Sequence, residues 1–179
     1  SSDEQTDLML YMDGTGDEFF DSSPHNWSIT PTGGVQQDNS FFKHGEGSGY
    51  FDGSDDRLEV EDVDWSLGYD DFTIDMWVWI NSHTDMGLAS TENPVTNGDG
   101  WLFDLDLRGN SGAHGLRFKA GASDVVKGPG GSGGSYPIQT WTHVAAVRSN
   151  GVFTLYLNGQ SVVSATSEVF IEDTPQPLR

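Results

Sequence analysis

Asp75, Trp77 and Trp79 alternate with Ile74, Met76, Val78 and Ile80 in the run from Phe72 to Ile80. Period-2 spacing puts two indoles and a carboxylate on one strand face and the apolar stripe Phe72, Ile74, Met76, Val78 and Ile80 on the other. Indole rings offer flat apolar faces to sugar C–H surfaces, and carboxylates accept hydrogen bonds from hydroxyls, so the set suits recognition of a ligand. Trp101, Asp104 and Asp106 form a second set. The two acids alternate with Phe103, Leu105 and Leu107 and therefore share a strand face. They either accept sugar hydroxyls on the same surface as Trp77 and Trp79, or pair with Arg117 and Lys119 across a hairpin. Asp104-X-Asp106-X-X-Gly109 is not an EF-hand, because Gly115 stands where the bidentate Glu is required.

Acid–base chemistry finds less support. Retaining glycoside hydrolysis needs two carboxylates about 5 Å apart, as strand alternation could supply. Glu59 and Glu61 come nearest, in Glu59-Val60-Glu61-Asp62-Val63-Asp64. A solvated acidic loop is the expectation there, and Asp75, a lone acid, cannot be both acid and base. Ser132 satisfies the letters of Gly-X-Ser-X-Gly inside Gly128–Gly134. A nucleophile elbow requires a strand before it and a helix after it, and glycine on every side supplies neither. The stretch reads as a flexible surface loop. His25, His44, His83, His114 and His143 share no spacing, and His143 is expected to be a packing residue. Asp13 and Asp52 each precede Gly at a strand end, and Asp21 lies in the turn-rich loop between them. Calcium takes six to eight oxygens and suits such loops, while Asp before Gly is also ordinary turn chemistry.

The elements that must position these residues are short. Strand signals fall at residues 8–12, 27–30, 49–52, 57–60, 72–80, 101–107, 115–120, 141–148, 152–157 and 160–165. Asp-Gly, Asn-Gly and Gly-Asn pairs punctuate them. Ser149-Asn150-Gly151 joins two strands, and Asn158-Gly159 joins the next pair with a turn suited to type I′ geometry. No stretch holds a 3.6-residue period, so the expectation is an all-β antiparallel two-sheet sandwich. Residues 1–7 read as a polar linker or arm and 8–179 as one domain, with no internal repeat.

Composition sets the outer limits. Eight Lys and Arg against 28 Asp and Glu give a formal charge of −20 over 179 residues. A chain so acidic repels phosphate, which argues against nucleic acid and anionic membranes as partners. There is no Cys, which excludes disulfides and thiolate zinc sites, and no apolar run long enough to span a bilayer. No signal peptide is evident and the first residue is Ser1, so a processed product or fragment is expected. Asn26-Trp27-Ser28 is one glycosylation sequon, of consequence only in a eukaryotic secretory pathway.

Five segments in order carry a resemblance. They are Leu8–Gly14, Asp21–Ser23, Gly49–Val60, Asp71–Ile80, and Trp141-Thr142-His143-Val144-Ala145-Ala146-Val147-Arg148 leading to Leu155-Tyr156-Leu157-Asn158-Gly159. Together they resemble the laminin-G-like branch of the concanavalin A-like lectin and glucanase superfamily, over residues 8 to about 165. The resemblance implies a jelly roll, glycan or protein ligands, a calcium ion and an extracellular, cell-surface or virion setting. It brings the strands before Asp13 and Asp52 close together, which makes Asp13, Asp21 and Asp52 the expected calcium ligands. In such domains a pattern like Leu178-Arg179 usually opens a strand that continues, so the last strand is expected to be cut off or supplied by another molecule. The leading expectation is a non-catalytic glycan-binding module. Its rival is a structural component, a capsid, fibre or filament subunit. Such a subunit forms homo-oligomers or larger assemblies with neighbouring copies by strand exchange through Leu8–Met12. A glycoside hydrolase ranks last, for want of a carboxylate pair.

Overall fold

The structure, a computed structural model, describes residues 5–61, 63–82, 85–92, 98–106, 115–128 and 136–179. Most of the glycine-rich stretch with Ser132, together with Asp62, His83, Leu107 and His114, lies outside the described residues. The chain divides into two compact units, Ser1–Val63 with Pro177–Arg179, and Asp64–Gln176. Composition marks no boundary near Val63.

The larger unit is a sandwich of two antiparallel four-stranded sheets. One has the order β12-β11-β10-β5, from β5 (Phe72–Val78), β10 (Thr142–Ser149), β11 (Val152–Leu157) and β12 (Gln160–Thr166). The other has the order β6-β7-β8-β9, from β6 (Met86–Ser90), β7 (Trp101–Asp106), β8 (Gly115–Ala120) and β9 (Ser123–Gly128). No helix occurs among the described residues. This is the expected jelly-roll sandwich.

Between the sheets Phe103, Leu105, Leu116, Phe118, Val144, Phe153 and Leu155 are buried. Phe118 of β8 meets Phe72 of β5 at 5.4 Å and Phe153 of β11 at 5.7 Å between ring centroids, tying sheet to sheet. Each such pair contributes about 0.5–1.5 kcal/mol beyond its buried area. Both predicted hairpins are present. Asn150 and Gly151 have φ of 51° and 75°, and Asn158 and Gly159 have 49° and 76°, the positive pair that a type I′ turn requires.

In the smaller unit β1 (Ile29–Thr32) pairs with β4 (Arg57–Val60), and β2 (Gln36–Asp38) pairs with β3 (Ser48–Tyr50). Phe19, Val35 and Leu58 form its buried centre, with Leu10, Met12 and Ile29 packed against them. The expected strand over residues 8–12 is reduced to one bridge, Leu10 to Asp21. Leu178 bridges Val60 in this unit, and Ile171 bridges Gly68 in the larger one.

Three strands carry no strong sequence signal. β2 is Gln-Gln-Asp, β6 is Met-Gly-Leu-Ala-Ser, and β9 is Ser-Asp-Val-Val-Lys-Gly. They are too short, too polar or too poor in β-branched and aromatic residues to announce themselves, and neighbouring strands pull them into register.

Candidate functional site

The burial of β5 alternates as the sequence demanded, with Thr73, Asp75 and Trp77 exposed and Phe72, Ile74, Met76 and Val78 turned inward. Register places His143 of β10 opposite Trp77, and Ala145 opposite Asp75. It then carries Ala145 to Tyr156 of β11 and Tyr156 to Ser161 of β12. One outer row thus reads Asp75, Ala145, Tyr156, Ser161, with Trp77 and His143 side by side in the next row. Trp77 is 40% exposed, and its ring lies 5.4 Å from that of His143. His143 Nε2 and Asp75 Oδ2 are 2.7 Å apart. Ala145, the smallest side chain of its row, is buried between its neighbours. Thr154 and Ser164 add a hydroxyl pair at 2.9 Å farther along the same face.

This arrangement offers an aromatic face, a carboxylate, an imidazole, a phenol and several hydroxyls on a solvent-facing sheet. Sequence reasoning assigned His143 to packing and passed over Tyr156. Alternation within Trp141–Arg148 turns His143 outward with Ala145 and Val147. Its meeting with Asp75, 68 positions earlier, is a matter of strand register.

Of the other expected members, Trp101, Asp104 and Asp106 do not join this face, whereas Trp79 meets Trp141 as Trp77 meets His143. Trp79 lies beyond the end of β5, half-buried, with its Nε1 donating to Asn81 Oδ1 at 3.2 Å and its ring edge-on to Trp141. Trp101 is a core side chain, 3% exposed, stacked on Phe118, its Nε1 donating to the Trp65 carbonyl at 3.0 Å. Its neighbours Phe103 and Leu105 face inward with it, because all three share the parity of the core stripe of β7.

Asp104 and Asp106 belong to the second sheet, not to the surface bearing Trp77. They point away from its core yet are only 6% and 7% exposed. Arg117 donates from Nε to Asp104 Oδ1 at 3.0 Å and from Nη2 to Oδ2, and its Nη1 stands 3.2 Å from Asp106 Oδ2. Lys127 also donates to Asp106, and Asp124 lies 3.6 Å from Arg117. Lys119 goes to Glu92, at 2.9 Å, and not to the aspartates. Burial pushes the Asp104 carboxyl up against the pull of Arg117, and the same pairing raises the Arg117 guanidinium. The cross-hairpin alternative is therefore the observed geometry, and the network holds these acids to neighbouring cations.

The three expected calcium ligands are not gathered either. Asp21 is 4% exposed and already full: Oδ1 accepts from the Met9 and Ser23 amides, and Oδ2 from the Trp27 amide and the Ser23 hydroxyl. Burial pushes its carboxyl up, but the bonds from Ser23, Met9 and Trp27 outweigh that and hold it below the usual carboxylate range. Asp13 is exposed and stands apart from any convergent acidic group among the described residues. Asp52 converges instead with Asp55 and Asp56, with carboxylate oxygens within 4.8 Å of one another. Asp56 Oδ2 accepts the Asp52 amide at 2.7 Å, while its Oδ1 is buried with no hydrogen-bond partner. Sequence spacing alone, Asp-Gly-Ser-Asp-Asp, held the signal for this trio.

Glu59 and Glu61, the nearest acid pair, are also engaged. Glu59 accepts from Arg57 and Arg179, which together hold its carboxyl low, and Glu61 accepts the Ser28 amide at 2.8 Å.

Comparison with known proteins bears on the fold. A family model described as the concanavalin A-like lectin/glucanases superfamily, of laminin-G type, matches residues 52–179. Domain 4 of a GH43 extracellular arabinanase from Geobacillus stearothermophilus, solved with arabinotriose, is similar at TM-score 0.60 and 17% identity. The match covers 88% of this chain and 74% of that one. A carbohydrate-binding module, CBM66 from Bacillus subtilis, is similar at TM-score 0.48 and 15% identity, covering 84% and 85%. No protein with a curated description matches the chain. At these identities the structural likeness is one of fold.

Proposed function

The chain belongs to the concanavalin A-like lectin/glucanase superfamily, and on that footing we propose that it is a non-catalytic glycan-recognition module working outside the cell. The observation that carries the reading is Trp77, an indole 40% exposed on a sheet face beside Asp75 and His143, with Tyr156 two strands away on the same face. Its ring would stack on a sugar face while Asp75, Tyr156 and the Thr154–Ser164 pair meet hydroxyls. The arabinotriose bound by the similar arabinanase domain makes arabinan a reasonable first probe. The engagement of Glu59, Asp104 and Asp106 with arginine supports recognition over hydrolysis, which needs one carboxyl free to give a proton.

Affinity electrophoresis through soluble arabinan, xylan, β-glucan and mannan tests this reading. Retardation by at least one polysaccharide is expected, with roughly tenfold weaker binding in Trp77→Ala. A Trp77→Ala chain that binds as well as the parent would overturn the assignment of the face.

The rival, an assembly subunit that exchanges strands, draws on Leu8–Met12, whose one sheet-like pairing among the described residues is the Leu10 bridge. Sedimentation of the purified chain separates the two, since a monomer that binds polysaccharide contradicts the rival.

Asp52, Asp55 and Asp56 fit a calcium ion better than the set expected from sequence. They offer carboxylates within reach of one another and a buried oxygen, Asp56 Oδ1, that lacks a donor. A cation there would neutralise converging charges and tie together the turn between β3 and β4.

A further inference from the structure

A second face lies in the smaller unit. The hairpin register sets Gln36 opposite Tyr50 and Asp38 opposite Ser48, so these four side chains share one side of a two-stranded ribbon. Gln37 and Gly49 take the other side, where a Cβ on Gly49 would come within 3.0 Å of the Phe51 ring. An open cleft of about 540 Å³ runs along the ribbon, lined by Gln36, Gln37, Asp38, Asn39, Ser40 and Tyr50. Tyr50 is 56% exposed, an aromatic ring held in water where no core requires it.

The walls of this cleft are held in place. Asn39 Nδ2 donates to the Gly14 and Glu46 carbonyls at 3.2 and 2.9 Å, bracing the loop between β2 and β3. Asp38 Oδ1 accepts the Ser40 amide and hydroxyl at 2.7 and 2.6 Å. Gln37 is anchored through its amide nitrogen on the Glu18 carbonyl. The rim is thus fixed by its own hydrogen bonds, and a ligand would meet it without much ordering cost.

We propose that this ribbon face is a second saccharide-binding site, formed by Tyr50, Gln36 and Asp38. The Tyr50 ring supplies the stacking surface. The Gln36 carboxamide can both donate and accept, and the Asp38 carboxylate accepts from hydroxyls. Ser40 hydrogen bonds hold the Asp38 carboxyl below the usual carboxylate range, so it stays charged at neutral pH. The only Lys and Arg residues of the unit are Lys43, Arg57 and Arg179, and both arginines are bound to Glu59. The field is therefore acidic, and the saccharide it accepts is neutral rather than a uronate or sulfated chain. The inference rests on the glycan-recognition reading for its class of ligand, but not on the Trp77 face.

The test is a 1H–15N NMR titration of the full chain with arabinotriose, xylotriose, cellotriose and mannotriose at millimolar concentration. Amide shifts at Gln36–Ser40 and Tyr50 are expected with at least one sugar. They should weaken about tenfold in Tyr50→Ala and persist in Trp77→Ala. Tyr50→Ala removes an exposed ring, and an unchanged spectrum of the core residues Val35 and Leu58 confirms its fold. Shifts confined to β5, β10 and β11 overturn the second site and leave the module reading standing. Shifts confined to β2 and β3 support the second site and remove the Trp77 face. No shift with any of the four sugars overturns both.

Discussion

Asp21 does its work as an acceptor. Four donors converge on its two oxygens, three of them backbone amides of a turn-rich loop that has little regular structure to satisfy them. Asp21→Ala should lower stability by roughly 2–3 kcal/mol, because buried donors are left without partners. Urea unfolding measures it, and a loss below about 0.5 kcal/mol would contradict the role. The carboxyls of Asp21 and Glu59 are both held below their usual range. A depressed carboxylate contributes stability that is present above its unfolded pKa, about 4, and is lost as pH falls through the folded value. Melting temperature should therefore hold from neutral pH to about 5 and fall below about 4, more shallowly in Asp21→Asn. Calcium makes a separate prediction at Asp52, Asp55 and Asp56. An ion that binds only the folded turn raises the melting temperature, and a chelator removes the gain. Asp56→Asn should blunt the response, whereas equal melts with and without chelator reduce the trio to turn chemistry.

At the scale of elements, β7 and β8 put their charges where solvent reaches them least. Arg117 stands between Asp104, Asp106 and Asp124, its side chain 12% exposed beside Asp104 and Asp106 at 9% each. Arg117→Ala would leave the buried Asp104 carboxylate without its cation and Asp106 with Lys127, and should cost about 3–5 kcal/mol. Trp77→Ala, on the open face of β5, should cost less than about 1 kcal/mol while reducing binding. That contrast separates a structural network from a recognition surface, and equal losses in both variants would contradict it. The entry to β7 is similarly constrained. Gly100 has φ of 79°, and a Cβ there would meet the Thr91 carbonyl oxygen at 2.6 Å and its Oγ1 at 2.7 Å. Gly100→Ala should be destabilising, by strain of about 1–3 kcal/mol before any clash is counted. Of the expected strands, Arg57–Val60, Gly115–Ala120 and Val152–Leu157 stand at the bounds read from sequence, and the 72–80 run ends two residues early. Local alternation determines an element wherever one face must be buried.

For the molecule as a whole, net charge bears on the proposed ligand. A chain of net charge −20 gains nothing from counterion release on phosphate, and stacking on a neutral sugar is little screened by salt. Polysaccharide retardation should change by less than about twofold between low salt and several times physiological salt. A steep salt dependence would instead indicate an ionic partner. By itself the sequence determined that this is an all-β sandwich, that β5 turns Trp77 and Asp75 away from the core, and that Asn-Gly turns close its last hairpins. These are local properties: alternation, turn chemistry and composition act within a few residues. Only the tertiary structure decided which exposed residues meet. Trp101 shares its residue type with Trp77, and Asp104 shares its with Asp75, yet one tryptophan packs on Phe118 and one aspartate is clamped by Arg117. Asp75 finds His143, and Gln36 finds Tyr50, through strand register alone. Pairing across a sheet joins residues far apart in the chain, and the pattern within each strand specifies a face without specifying the neighbour beside it.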